Sequence, residues 1–324
     1  MMSNLTLTLL SRFILTSLFV SALAACGGGD GSDPSNIYNG VRSEAVLDTE
    51  NSDDLSASAF TGSGAGESFG EGFVRTVGEA GQGSRTLKVL LFVADLIQPS
   101  GSSGATRALT REESSGSDTV DGNCGGSFSF SYTFDDETGG FSETLAFNDF
   151  CEDDETVSGE IRLLGVFDVD SPEFRLDATV VFDRVTFSFE GDEFRTAGRM
   201  TFSFTESAID SRMDVVMSDD ATGLSIWLND FEVLTVLGDG YVDITLSGRF
   251  YESEHGFVTI STISPLRVVD FDLWPSSGEY ILDGDDSSAH VDVLSNTTFQ
   301  LSVDEDGDGN YDYTESLLWE SFEL

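Results

Sequence analysis

The chain is short of the side chains that most often carry chemistry. It has two histidines, three cysteines and five prolines in 324 residues. Fifteen Lys and Arg stand against 59 Asp and Glu, a formal charge of −44 at pH 7. So few cations exclude a nucleic-acid partner, because binding to phosphates depends on clustered Lys and Arg. Two isolated histidines without a free cysteine exclude a zinc or haem site. Long apolar runs are also missing. The most apolar stretches are Phe13 to Val20 and Leu87 to Ile97, and the second contains Lys88 and Asp95. Neither reaches the roughly 20 apolar residues that a membrane-spanning helix needs.

What is present begins at the N-terminus. Residues 1–25 hold one base, Arg12, and no acid, and the apolar run after Arg12 is followed by small residues. That is the layout of a secretory signal peptide. It ends in Leu23-Ala24-Ala25-Cys26, which resembles the lipobox of bacterial lipoproteins, where signal peptidase II cleaves before the cysteine and the thiol takes a diacylglycerol. All four positions fit, and the resemblance covers this segment alone. It implies a mature chain that starts at Cys26 and is held to a membrane by palmitate-type acyl chains on that residue. Several chains on one residue give a stable anchor where one would be marginal. Gly27 follows the cysteine. Gram-negative lipoproteins retained at the inner membrane commonly carry an aspartate there, so the resemblance implies the outer membrane, on its periplasmic face or at the cell surface.

Composition divides the rest. Residues 26–45 are rich in Gly, Ser, Asp and Asn and are expected to form a flexible tether. Residues 46–123 are mixed and loop-rich, with a short helix expected near 84–98, where Leu87, Leu90/Leu91 and Ala94 keep helical spacing. From 124 to 324 the pattern becomes alternation. Ser127 to Phe134 sets four aromatics on one face against Ser and Thr on the other, which marks a half-buried strand. Similar segments run from Phe174 to Phe182, Val185 to Phe189, Met200 to Phe204, Met213 to Met217, Leu224 to Leu228, Tyr241 to Phe250, Phe257 to Ile263, His290 to Val293 and Phe299 to Val303. Strands wet on one face belong to antiparallel sheets, and the short connections leave no room for parallel crossovers. The expected fold is mainly β, an antiparallel meander closed into a sandwich or a strongly curved sheet or barrel. A loose echo links Leu145 to Phe150 with Ile226 to Phe231, followed by Gly159 and Gly240 respectively, as repeated hairpins would give.

One hairpin can be set in register. The turn cluster from Asp135 to Gly140 is centred between Glu137 and Thr138. Folding about that centre pairs Phe134 with Phe141, Tyr132 with Glu143, Phe130 with Leu145 and Phe128 with Phe147, and three of those four pairs are apolar. The same register sets Cys124 opposite Cys151, and a secreted chain permits the disulfide.

The most specific chemical motif lies near the C-terminus, in residues 304–315 (DEDGDGNYDYTE). It resembles the calcium loop of the EF-hand. Asp304, Asp306 and Asp308 fill the first, third and fifth positions, Gly309 the sixth, Asn310 the seventh, Asp312 the ninth and Glu315 the twelfth. The resemblance implies side-chain oxygens from the acids, a backbone carbonyl from Asn310 and a bidentate Glu315, which suits a hard cation that takes six to eight oxygens. It covers the loop alone, since Phe299 to Val303 alternates as a strand where an EF-hand has a helix. Bacterial extracellular proteins often carry such loops outside paired EF-hands.

Catalytic patterns are weak by comparison. Gly66-Glu67-Ser68-Phe69-Gly70 fits the serine-hydrolase pentapeptide, but no strand precedes it and no helix follows. His255 and His290 are the available bases, and both sit in strand or turn context. Acid pairs such as Asp168 and Asp170 read as solvated charges. The chain is therefore expected to be a non-catalytic lipoprotein with a structural or binding role. A carrier whose Phe-rich face encloses an apolar ligand is the alternative, and a serine hydrolase the third reading.

Overall fold

The computed structural model describes residues 32–60, 115–135, 137–152, 155–167, 175–189, 192–220, 222–269, 272 and 274–319. The signal segment, Cys26, Ser68, the expected helix at 84–98 and Asp168 with Asp170 lie outside the described residues.

Fourteen strands form one antiparallel sheet, each paired with the next in chain order. They are β1 (Ser115–Asp121), β2 (Gly125–Asp135), β3 (Gly140–Glu152), β4 (Glu155–Phe167), β5 (Arg175–Phe189), β6 (Asp192–Thr205), β7 (Ala208–Asp219), β8 (Ser225–Leu237), β9 (Tyr241–Glu252), β10 (Gly256–Val269), β11 (Ser277–Gly284), β12 (Ser287–Ser295), β13 (Thr298–Asp304) and β14 (Tyr313–Leu318). Among the described residues no pairing of β1 with β14 closes the sheet into a barrel. The sheet nevertheless has one continuous core. Side chains from β2 to β13, including Phe130, Phe182, Phe231, Phe250 and Leu301, belong to a single buried cluster. The meander is thus a strongly curved sheet with one dry face.

Curvature comes from bulges. Asp149, Arg184 and Asp230 take left-handed backbone angles (φ 48°, 49° and 47°), and the pairing register shifts at each of them. Each bulge turns two residues three apart to the same inner face: Phe147 with Phe150, Phe182 with Val185 and Leu228 with Phe231, all buried. An added residue of this kind bends a strand and increases its twist. The neighbouring strand must let the bent backbone approach, and glycine does so. A Cβ at Gly159 would lie 2.6 Å from the Arg184 carbonyl oxygen, and one at Gly248 would lie 2.5 Å from that of Asp230.

These bulges account for the sequence echo and correct its reading. Asn148-Asp149 and Asn229-Asp230 are equivalent bends. The glycines that accommodate them are Gly126 and Gly248, while Gly159 accommodates the bend at Arg184 and Gly240 lies outside the strands, just before β9. The same physics joins two expected strands into one. Residues 175–182 of the first and Val185 to Phe189 both fall in β5, which is continuous through its bulge.

The expected tether is also corrected. Residues 34–45 lie docked on the sheet. Pro34 to Asn36 form a 3-10 turn whose N-cap, Asp33, accepts from Ser35 N. Tyr38 then packs against Trp227 and Tyr251, with ring centroids 5.7 Å away in each case. Its hydroxyl donates to the Glu252 carbonyl at 2.8 Å. Trp227 is held from the other side, its Nε1 donating to Asp214 Oδ1 at 2.7 Å. This small cluster sits on the outer face of β6–β9. Beyond it, Ala45 N donates to the Phe257 carbonyl and Phe257 N to that of Ser43. Gly, Ser and Asp around Tyr38 give the segment the composition of a linker, but one buried aromatic ring fixes it.

The segment continues into the core. Leu47, Leu55, Ala59 and Phe60 belong to the same buried cluster as the strands, and residues 52–60 are helical (α1). Asp48 caps α1 reciprocally with Asn51. Asp48 Oδ1 accepts from Asn51 N, and Asn51 Oδ1 accepts from Asp48 N, at 3.1 Å each. Phe60 reaches Trp319 and Trp274 at 5.4 and 5.9 Å. The β unit therefore does not begin at residue 124. It includes 45–60 and the strand β1.

Candidate metal centre

The loop joining β13 to β14 carries the expected calcium motif. It opens where β13 ends, and the last three residues of that strand, Ser302, Val303 and Asp304, are all buried. Asp304 is 4 % exposed. Its carboxylate is oriented by the loop backbone, with Oδ1 accepting from Asp308 N at 3.2 Å and Oδ2 from Gly309 N at 2.8 Å. Gly307 and Gly309 supply the positive φ angles (67° and 85°) that turn the chain back. The loop closes when Asp312 N donates to the Val303 carbonyl at 2.8 Å, and Asp312 Oδ2 accepts from Glu305 N at 2.9 Å.

Three carboxylates converge. Asp304, Asp306 and Asp312 each place an oxygen within 4.8 Å of the others. Like charges this close cost roughly 1 kcal/mol per pair in water and about 3–4 kcal/mol at the effective dielectric near a protein surface. A hard divalent cation removes that cost, and carboxylate oxygens are the donors it prefers.

The full motif is not assembled. Asp308 turns its carboxylate to Asn310, accepting from its backbone N at 2.8 Å and its Nδ2 at 2.9 Å. Glu315 stands apart on β14 opposite Leu301, and its carboxylate accepts from the Tyr313 hydroxyl. The reason is the element that follows the loop. Residues 313–318 are a strand paired to β13, so the three steps from Asp312 to Glu315 carry the side chain about 10 Å along the sheet. Asp304, Asp306 and Asp312 would hold a cation, and the remaining oxygens would come from water and backbone carbonyls.

The loop is tied to the N-terminal segment, since Thr49 N donates to Glu305 Oε1 at 3.1 Å. Tyr311 stacks on His290 with ring centroids 5.9 Å apart, and His290 Nε2 lies 2.6 Å from Glu279 Oε1. His255 is exposed in the turn between β9 and β10, its backbone N donating to Glu252.

The second expected site is a bond. Cys124 and Cys151 form a disulfide with Cα atoms 5.2 Å apart. The four hairpin pairs from Phe134–Phe141 to Phe128–Phe147 stand in the expected register. Beyond them the bulge at Asp149 shifts the pairing by one residue, so Gly125 rather than Cys124 is the ladder partner of Cys151. Cys124 N still donates to the Cys151 carbonyl at 3.3 Å, which keeps the sulfurs in reach.

One open groove on β1–β3 is lined by Ser117, Thr119, Ser129, Ser131 and Thr144 together with Phe130. Its lining is largely hydroxyl, unlike the Phe-lined cavity that an apolar carrier calls for. Glu143, a buried acid on the inner face of β3, was not singled out by any motif. Its one sequence signal was that it spoiled the apolar match of its hairpin pair. Comparison with known protein families, with curated proteins and with solved structures found no match to this chain.

Proposed function

We propose that the chain is a cell-envelope lipoprotein, held to the outer membrane through lipid on Cys26, with a non-catalytic structural or binding role. Its β unit is stapled by the Cys124–Cys151 disulfide and stabilised by calcium. The observation that carries the calcium reading is the convergence of Asp304, Asp306 and Asp312 on one point of a loop that also bonds Thr49. The cation offsets the repulsion of the three carboxylates and tightens the loop against the N-terminal segment.

A ligand that binds only the folded state stabilises it by about 2.7 kcal/mol at a hundredfold excess over its dissociation constant. Extracellular calcium modules bind in the range of about 10⁻⁴ to 10⁻³ M, so millimolar calcium is the relevant concentration. Thermal unfolding in calcium against chelator, at matched ionic strength, is the test. Calcium raises the wild-type midpoint, and Asp304→Ala or Asp312→Ala removes most of the gain, whereas Glu315→Ala keeps it. Equal responses in wild type and both aspartate variants would reduce the effect to general charge screening. Anchoring is tested by labelled palmitate. Wild type incorporates it and Cys26→Ser does not, and equal labelling of the two would overturn the anchor.

A further inference from the structure

Across the β2–β3 ladder Tyr132 faces Glu143, on the same inner face as Phe128, Phe130, Leu145 and Phe147. Glu143 is 5 % exposed and Tyr132 8 %. Neither Glu143 Oε1 nor the Tyr132 hydroxyl has a hydrogen-bond partner. On its other side Glu143 meets Leu163 of β4, also buried. Of the charged groups of that strand, Arg162 and Glu160 lie on the outer face and pair with each other at 3.4 Å, and Glu155 is exposed at the strand's far end, opposite Glu152. The inner residues of β5, Leu176, Ala178 and Val180, are apolar. Among the described residues, then, Tyr132 is the one titratable group turned toward Glu143 from the neighbouring strands, and no cation is.

A carboxylate buried without a cation or donors is far less stable than the protonated acid. Burial accordingly pushes the Glu143 carboxyl up to about 7. A carboxyl whose folded-state value is raised stabilises the closed form at low pH. That contribution is complete below the ordinary glutamate range and is lost as pH rises through about 7.

We propose that Glu143 is a proton-operated latch on the disulfide-bonded hairpin. With the proton on, β2 and β3 lie closed over the core. With the proton off, the carboxylate draws water to itself and the hairpin loosens, while β12 and β13 stay shut. The disulfide keeps the loosened strands together, so the opening is local and reversible.

Amide hydrogen exchange of the full chain between pH 5 and pH 8, corrected for intrinsic rates and at fixed calcium, reads the latch. The opening equilibrium of β2 and β3 amides rises roughly fiftyfold over that range in wild type, which is what a carboxyl shifted from its ordinary value to about 7 supplies. In Glu143→Gln the rise is absent, and β12 and β13 amides behave alike in both proteins. The same rise in Glu143→Gln, or a rise spread evenly over the sheet, overturns the proposal. Should that variant not fold, carbon-13 titration of Glu143 in the wild type decides. A midpoint near 7 supports the latch, and one in the ordinary glutamate range overturns it.

Discussion

On the β1–β4 side of the sheet a covalent bond ties neighbouring strands, and the inner face there includes an acid, Glu143, without a partner. On the β10–β14 side a second layer lies over the sheet: Leu47, Leu55, Ala59 and Phe60 from the N-terminal segment, with Trp274 and Trp319. The two sides are stabilised through opposite states of the chain. A disulfide acts mainly by restricting the unfolded ensemble and needs no good packing to do so. An apolar layer acts on the folded state and fails with its contacts. A hairpin that keeps a buried carboxyl can therefore stay attached without being tightly closed.

The sharpest way to break this contrast is at Trp319. It is 1 % exposed and lies 4.3 Å from Phe299 and 5.3 Å from Trp274 between ring centroids. Trp319→Ala is expected to cost about 3–5 kcal/mol in denaturant unfolding, with faster exchange at β11–β13. A loss below about 1 kcal/mol would show that the aromatic layer adds little beyond filling space. Next in size is the staple. Replacing both Cys124 and Cys151 by alanine removes a closure spanning 27 residues, worth about 3.5 kcal/mol in the chain-entropy model. Here the loss should appear with little change at β11–β13, and equal loosening of both sides would erase the distinction. Calcium, as proposed for the loop after β13, is expected to have the smaller effect on stability, and the Glu143 proton the most local one.

Much of this was legible in the sequence where alternation is strict. Ser127 to Phe134 gave its hairpin register residue by residue, because each Phe or Tyr alternates with Ser or Thr. Legibility failed wherever a bulge breaks the period of two, as at Asp183-Arg184. It failed also where apolar residues face outward: Leu164 and Val166 are 44 % and 48 % exposed on β4, and their apolar run with Leu163 hides the alternation of that strand. The acidic loop after β13 was readable as a pattern, but which of its carboxylates converge was not, since the position of Glu315 depends on a strand following where the motif resembled has a helix. Tyr38 was lost in a segment whose average composition says linker, although a single aromatic with a Trp and a Tyr to pack on decides its fate.

Docking of residues 34–45 has a consequence for how the molecule stands in the envelope. With lipid on Cys26, as proposed, a free tether to residue 45 would span up to about 70 Å of extended chain. With Pro34 already buried against the sheet, only eight peptide steps separate it from Cys26, at most about 28 Å. The protein is then moored on a short line rather than a long one. Its outer β6–β9 face is nearest the mooring, and the acidic body is held off anionic headgroups by its own charge.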